Sequence, residues 1–151
     1  MIHLLDTDTL IYMVRGLKIA TPKTEREKQR IQIARRIATR CRKQQEAGHD
    51  IGLSAITVAE LEYGARHSRD YSEEMAAVRK ILTPFMTFGF DAAACAEHYG
   101  EVRHALEING TPIGAMDLLI AGHAKALGAT LVTNNLKHFS RIADLKCENW
   151  L

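Results

Sequence analysis

Cysteine and proline are both scarce in this sequence, with three of each among 151 residues. Cys41, Cys95 and Cys147 are widely spaced and form no CxxC pair. This pattern excludes a disulfide framework and a structural zinc site, because both need closely patterned ligands. We therefore expect three buried, reduced thiols in a cytoplasmic protein.

Long apolar runs are also absent. Nowhere do about 18 apolar residues follow one another without interruption, which is the length that a membrane-spanning helix needs. The first apolar stretch is short, is not preceded by a basic segment and ends at Asp6, so it does not resemble a secretion signal. We expect a soluble protein with no membrane partner and no export.

Neither sign of charge dominates the whole chain. Lysine and arginine number 20 against 18 acids, and the net charge of +2 does not by itself indicate a nucleic-acid binder. The distribution is uneven, however, because residues 23–47 hold many more basic than acidic side chains. Apolar residues recur there at steps of three and four, Thr24 and Glu27 form a capping box, and Gly48 follows. This segment is therefore predicted to be a locally basic helix.

The remaining composition is that of an ordinary globular domain. Hydrophobic residues make up 46% and charged residues 25% of the chain, and 151 residues are the usual length of one domain. We therefore predict a single domain over residues 1–151. Short apolar segments alternate with helical patterns along it, which favours an α/β fold with a mostly parallel sheet flanked by helices.

Local signals place these elements along the chain. Gly16 is expected to end the first helix, Pro84 the fourth, and Gly128 the last, while Asp91 is an N-cap. Strands are predicted over 1–5, 50–54, 85–90, 129–133 and 146–150. Helices are predicted over 23–47, 56–65, 72–82, 91–108 and 115–127, and a helix or irregular turn over 10–14.

Acidic residues stand at three of the predicted strand ends or helix starts. Asp6 follows the first strand, Glu60 follows the second, and Asp117 lies in the first turn of the last helix. Converging carboxylates repel one another, and a hard divalent cation such as Mg²⁺ or Mn²⁺ relieves that repulsion. A site of this kind suits phosphodiester hydrolysis by metal-activated water.

Each acid also has a structural interpretation. Asp6 could cap a turn, Glu60 could complete a capping box with Thr57, and Asp117 could complement a helix dipole. Asp6 and Asp117 nevertheless stand in apolar surroundings, where an unpaired charge is costly. The set as a whole therefore favours a functional site.

Four blocks of sequence carry a family resemblance. They are residues 4–9 (LLDTDT), 54–65 (SAITVAELEYGA), 110–124 (GTPIGAMDLLIAGHA) and 131–135 (LVTNN), with Phe139 and Trp150 beyond them. In this order they resemble the PIN-domain proteins of the VapC toxin group.

The resemblance implies a PIN-like three-layer α/β sandwich and a Mg²⁺- or Mn²⁺-dependent endoribonuclease. It implies that Asp6, Glu60 and Asp117 are catalytic acids and metal ligands and that Asn135 positions water or metal nearby. It further implies a VapB-like antitoxin, a homodimer, and structured RNA, notably initiator tRNA, as substrate. Lesser helper roles fall to Thr7, Thr133 and Asn134.

The chain departs from the family pattern in two places. Some members carry a fourth acid just beyond the Asn-Asn pair, where this chain has residues 136–139 (LKHF), so one strong metal site is expected. The basic segment over 23–47 is longer than the usual connection. A solvated helix face is the favoured interpretation of that segment, with RNA-phosphate contacts and antitoxin docking as alternatives.

Several neighbouring residues are expected to be structural. Asp8 is interpreted as a structural neighbour of the site, His123 as a packed histidine, and Trp150 as an anchor for the last strand.

Two other functions compete with the nuclease. Asp6-Thr-Asp8-Thr imitates the start of haloacid-dehalogenase-type phosphatases, in which the first Asp is a nucleophile, but Leu10 and a single late acid depart from their pattern. The second alternative is an RNA- or partner-binding module without catalysis. The presence of all three acids favours the enzyme.

Overall fold

Five strands form one parallel sheet in the computed structural model, which describes all 151 residues. In chain order they are β1 (Ile2–Leu5), β2 (Asp50–Ser54), β3 (Met86–Phe88), β4 (Thr130–Val132) and β5 (Cys147–Glu148). Across the sheet the order is β3-β2-β1-β4-β5, and each neighbouring pair is parallel. The predicted α/β class and parallel sheet are confirmed.

Seven helices connect the strands. Each of the five helices predicted from the sequence is present, the segment over 10–14 is helical as well, and a short seventh helix was not predicted. None of them combines the length and the apolar character needed to cross a membrane. Their bounds are α1 (Thr7–Leu17), α2 (Glu25–Glu46), α3 (Ala55–Arg66), α4 (Tyr71–Leu82), α5 (Ala92–Ile108), α6 (Ala115–Leu127) and α7 (Leu136–Phe139).

Helices cover both faces of the sheet. Successive side chains of a strand point to opposite faces, and here Leu5 and Val132 pack with α1–α4 while Leu4 and Leu131 pack with α5–α7. The result is two apolar cores separated by the sheet, which is the three-layer sandwich expected from the resemblance.

The basic segment is a helix, as predicted. Thr24 accepts from the backbone N–H of Glu27, and the Glu27 carboxylate accepts from that of Thr24, so the predicted capping box is present. Helix α2 buries Ala34, Ile37 and Cys41. Gly48, with φ of +83°, follows the end of the helix, a conformation that favours glycine.

Gly16 does not end the first helix, so that prediction was wrong. It lies inside α1 and is buried against α2. A Cβ atom at this position would stand 2.4 Å from both the Ala34 Cβ and the Arg30 carbonyl oxygen. Gly16 is therefore a close-approach residue between two helices rather than a helix stop.

Candidate active site

The carboxyl ends of three neighbouring strands bring the candidate residues together. β1 lies between β2 and β4 in the sheet, so Asp6, Ser54 and Thr133 come to the same edge. The backbone N–H of Asp6 donates to the Val132 carbonyl at 3.0 Å. Open α/β sheets bind ligands at this edge.

Asp6 is held in one orientation by its neighbours. It is only 4% exposed, and its Oδ1 accepts from the backbone N–H of Thr9 at 2.7 Å, so it also caps α1. Burial raises the pKa of the Asp6 carboxyl, and hydrogen bonds from Thr133 and Thr9 act in the opposite direction. The capping interpretation of Asp6 is therefore confirmed, and its functional role stays a prediction.

Glu60 has a buried carboxylate oxygen without a partner. Its Oε1 is shielded from solvent and accepts no hydrogen bond. Burial raises the pKa of Glu60 most, a hydrogen bond from Thr7 lowers it, and the charges of Asp117, Asp8 and Asp6 raise it. The acids therefore act on one another at this edge of the sheet.

The capping box proposed for Thr57 and Glu60 is absent. Ser54 caps α3 instead, because its Oγ accepts from the backbone N–H of Ile56 at 3.0 Å. The Thr57 hydroxyl oxygen lies 3.2 Å from that of Thr7. Glu60 is thus free of a capping role and stands in the second turn of the helix.

Asp117 lies in the first turn of α6, as predicted. Its side chain is 34% exposed, and its Oδ2 stands 3.5 Å from the His138 Nδ1. Gly114 provides no side-chain cap to this helix. An acid in the first turn complements the helix dipole, and the charge of Asp117 raises the pKa of Glu60.

Asn135 joins this cluster through two hydrogen bonds. Its backbone N–H donates to the Thr133 hydroxyl at 2.9 Å, and its amide nitrogen lies 2.7 Å from the His138 Nδ1. Thr133 thus connects Asn135 to Asp6. Asn134 points elsewhere, since its Oδ1 accepts from the Asn149 side chain at 3.3 Å.

His138 is a neighbour of the acids that the sequence did not single out. It belongs to α7, which is four residues long and shows no apolar periodicity. A histidine three residues after Asn135 could have been noticed only if a helical turn had been assumed there.

The side chains form an open group rather than a closed metal cage. No three histidine, cysteine, aspartate or glutamate side chains lie close enough to form a ready-made metal site. The unpartnered Glu60 Oε1 and the mutual repulsion of the acids still fit a cation. Mg²⁺ in particular keeps several waters and needs only one or two carboxylates.

The structural predictions for His123 and Trp150 agree with their contacts. His123 is fully buried, with its Nδ1 2.7 Å from the Ser54 Oγ and its ring edge-on to Phe90. Trp150 is fully buried, and its indole N–H donates to Glu148 at 2.7 Å.

Asp8 is exposed on α1. The three cysteines are free; Cys41 and Cys95 are buried and Cys147 is partly buried.

Comparisons with known proteins all indicate the same family. Residues 4–145 match the model of the PIN domain. The chain is 45% identical over 100 residues to the Ribonuclease VapC2 of Rickettsia felis, covering 66% of this chain and 74% of that protein. It is 38% identical over 98 residues to the tRNA(fMet)-specific endonuclease VapC of Shigella flexneri, covering 65% and 74%.

A solved structure extends the match to the whole chain. The crystal structure of VapBC2 from Rickettsia felis bound to a promoter DNA fragment matches with a TM-score of 0.84 and 33% identity, covering 100% of both chains. The chain therefore belongs to the PIN domain family and, within it, to the VapC ribonuclease toxins of toxin–antitoxin systems.

Proposed function

We propose that this protein is a divalent-cation-dependent endoribonuclease whose acids hydrolyse an RNA phosphodiester bond. The observation that carries the proposal is the unpartnered, buried Oε1 of Glu60 within the field of Asp6 and Asp117. A buried carboxylate oxygen that accepts no hydrogen bond, in a side chain that faces like charges, is costly unless a cation is bound. Family membership supports the same chemistry.

Each acid has its own role in this proposal. Asp6 and Asp117 would hold Mg²⁺ or Mn²⁺, and Glu60 would serve as a further ligand or orient the attacking water. When bound, the cation supplies an activated water and offsets the charge that develops on the phosphate. Thr9 and Thr133 fix the Asp6 carboxylate.

Asn135 has a positioning role in this proposal. Its backbone N–H donates to the Thr133 hydroxyl, which holds the residue in place. Its side-chain amide is neutral, so Asn135 can orient water without adding charge. The three carboxylates already repel one another, so a neutral neighbour is more favourable here than a fourth acid.

Transfer RNA is the substrate we propose. The Shigella flexneri relative is named for cleavage of tRNA(fMet), and its similarity supports structured RNA, with initiator tRNA as the first candidate. Sequence-selective RNA enzymes act mainly on loops, where bases are unstacked.

A VapB-like antitoxin is the partner we propose, because the structural match is to a VapBC complex. We also propose a homodimer and action in the cytoplasm. Support for further protein contacts comes from large apolar side chains left exposed on three helices, namely Tyr63 at 68%, Ile108 at 70% and Met116 at 52%.

Cleavage of a mixed tRNA pool tests the function. Protein freed of antitoxin should give discrete fragments with Mg²⁺ or Mn²⁺ and none with EDTA. Asp6→Ala and Asp117→Asn should lower cleavage by about 10²-fold or more, because each removes a charge at the metal. Asp50→Asn, at the opposite end of β2, is the matched control and should cleave normally.

Three results would contradict the proposal. Fragments that persist in Asp117→Asn would mean a contaminating nuclease or a different site. If the folded protein binds Mn²⁺ yet cleaves nothing, a non-catalytic binding module is favoured. A phosphorylated Asp6 would instead indicate the phosphatase alternative.

A further inference from the structure

A groove between α1 and α2 opens beside the acidic edge of the sheet. Its volume is about 510 Å³, and it is lined by residues of α1 and α2 and by Asn134. Three arginines converge on it, Arg15 from α1 and Arg26 and Arg30 from α2. We call it the arginine groove.

The three arginines have no acidic partner. None of them forms an ion pair or a side-chain hydrogen bond, whereas Arg79 pairs with Glu62 and Arg103 pairs with Glu107. Exposed arginines are common on α2, so an unpaired charge alone means little. The meaningful feature is that three guanidinium groups from two helices face one concavity, since clustered guanidiniums bind phosphates.

An aromatic side chain accompanies this charge. Tyr12 lines the arginine groove, is 38% exposed and makes no side-chain hydrogen bond to its neighbours. Proteins that bind single-stranded nucleic acid combine a basic groove along the backbone with aromatic rings on which bases stack. Tyr12 and Arg15 stand one turn apart on α1, so a ring and a guanidinium face the same space.

The arginine groove is continuous with the candidate active site. Asp8 lines the groove and lies in the first turn of α1, two residues after Asp6. Asn134, which also lines the groove, directly follows Thr133, whose hydroxyl accepts a hydrogen bond from the backbone N–H of Asn135. A strand of RNA in the groove would therefore lead to the acids.

We propose that the arginine groove binds the phosphate backbone of an unpaired RNA stretch next to the cleaved bond, with Tyr12 stacking on one base. This inference rests on the proposed function, because it takes RNA as the substrate. RNA fits better than an acidic protein segment for two reasons. The groove adjoins the acids proposed to hydrolyse a phosphodiester bond. It is also lined by both guanidinium groups and an exposed aromatic ring.

The test compares two triple variants with equal loss of charge. The groove triple is Arg15→Gln, Arg26→Gln and Arg30→Gln. The control triple is Arg35→Gln, Arg36→Gln and Arg42→Gln, three exposed arginines of α2 that lie outside the groove. Binding of a mixed tRNA pool is measured in EDTA, so that no cleavage occurs, at several salt concentrations.

The groove triple should bind the pool at least tenfold more weakly than the wild type. Three lost phosphate contacts should also reduce the slope of log K against log salt by about 2, at roughly 0.7 per contact with single strands. The control triple should stay within about twofold of the wild type with an unchanged slope. Equal weakening of both triples would show a general charge effect and overturn the proposal.

A second pair of variants tests the aromatic part without changing charge. Tyr12→Ala should weaken binding by about tenfold through the loss of stacking, while Tyr12→Phe should bind normally. This pair keeps the proposal falsifiable if the groove triple fails to fold. Unchanged binding by both the groove triple and Tyr12→Ala would overturn the proposal. It would indicate that the groove binds something else, such as an acidic protein segment.

Failure of the groove and failure of the enzyme are separable. If the wild type cleaves the pool with Mg²⁺ or Mn²⁺ while the groove variants bind and cleave normally, the arginine groove is refuted and the nuclease stands. If the wild type neither binds nor cleaves RNA, the proposed function itself fails.

Discussion

Glu60 illustrates how the site opposes the stability of the protein. Its Oε1 is buried without a partner, and burial together with the nearby acids raises the pKa of the carboxyl. A folded-state pKa above the unfolded one means that the charged form destabilises the fold. The penalty is present when pH exceeds the raised pKa, shrinks as pH falls through it, and vanishes below the ordinary value near 4.5.

Glu60→Gln should therefore stabilise the cation-free protein at neutral pH. Because Glu60 is only partly buried, screening by solvent keeps the gain near 1 kcal/mol or below, an increase in Tm of about 2 °C. Thermal unfolding in EDTA at pH 7.5 and pH 4 checks this prediction. An equal gain at both pH values would contradict the electrostatic cause, and Glu97→Gln, at an exposed glutamate of α5 that forms no ion pair, is the control.

The sequence identified the acids but not all of their neighbours. Asp6 and Asp117 were recognisable because each is an acid in an apolar run beside a predicted strand end or helix start. His138 was not, because its contact with Asp117 depends on a four-residue helix. Short helices are stabilised by tertiary contacts rather than by their own sequence.

At the scale of elements, the close contact of α1 with α2 depends on a missing side chain. Gly16 leaves no space for a methyl group, since a Cβ would stand 2.4 Å from the Arg30 carbonyl oxygen and the Ala34 Cβ. A shift of one helix would also move the arginine groove between them.

Gly16→Ala should destabilise the protein, although alanine favours helices. Overpacking at such a site costs about 1–3 kcal/mol, so Tm should fall by several degrees. Gly64→Ala is the matched control, because Gly64 also lies within a helix but has nothing within 4 Å of its added Cβ. That change should raise stability by about 0.5–1 kcal/mol. Equal effects of both substitutions would contradict the packing argument.

The helix ends were more predictable than this contact. Thr24, Asp91 and Gly128 act through hydrogen bonds or backbone conformations within a few residues of themselves, so local sequence identifies them. Judged by its local sequence alone, Gly16 also looks like the end of a helix. Its actual role depends on residues more than a dozen positions away, which no local pattern reports.

At the scale of the whole molecule, the candidate site joins the two apolar cores. Asp6 begins α1 and Glu60 lies on α3, both on one side of the sheet, whereas Asp117 lies on α6 on the other side. A cation bound by all of them would connect these layers. The buried pair of Ser54 and His123 makes a similar connection between β2 and α6.

Divalent cations should consequently stabilise the entire fold. At 100 times its Kd, a cation that binds only the folded state contributes about 2.7 kcal/mol, which corresponds to a rise in Tm of about 5–10 °C. Thermal unfolding with Mn²⁺ and then with excess EDTA measures the shift. Asp117→Asn should lose most of it and Asp50→Asn should keep it. A shift that survives in Asp117→Asn would place the cation elsewhere.

The strand order of the sheet shows what patterns along a chain can and cannot supply. Alternating strands and helices indicated a parallel sheet, because parallel neighbours need crossover connections. They did not indicate that β1 lies between β2 and β4, since that depends on which faces the helices cover. The convergence of the acids follows from this order.

Trp150 offers an optical consequence of the packing. It is the only tryptophan among the 151 residues, it is fully buried, and it contacts His3 of β1 and the Arg40 guanidinium of α2, with centroid distances of 5.4 and 5.3 Å. Its intrinsic fluorescence therefore comes from one place, where the sheet meets the basic helix. Emission should shift to longer wavelength when this junction opens to water, so the unfolding of every variant above can be followed without a label.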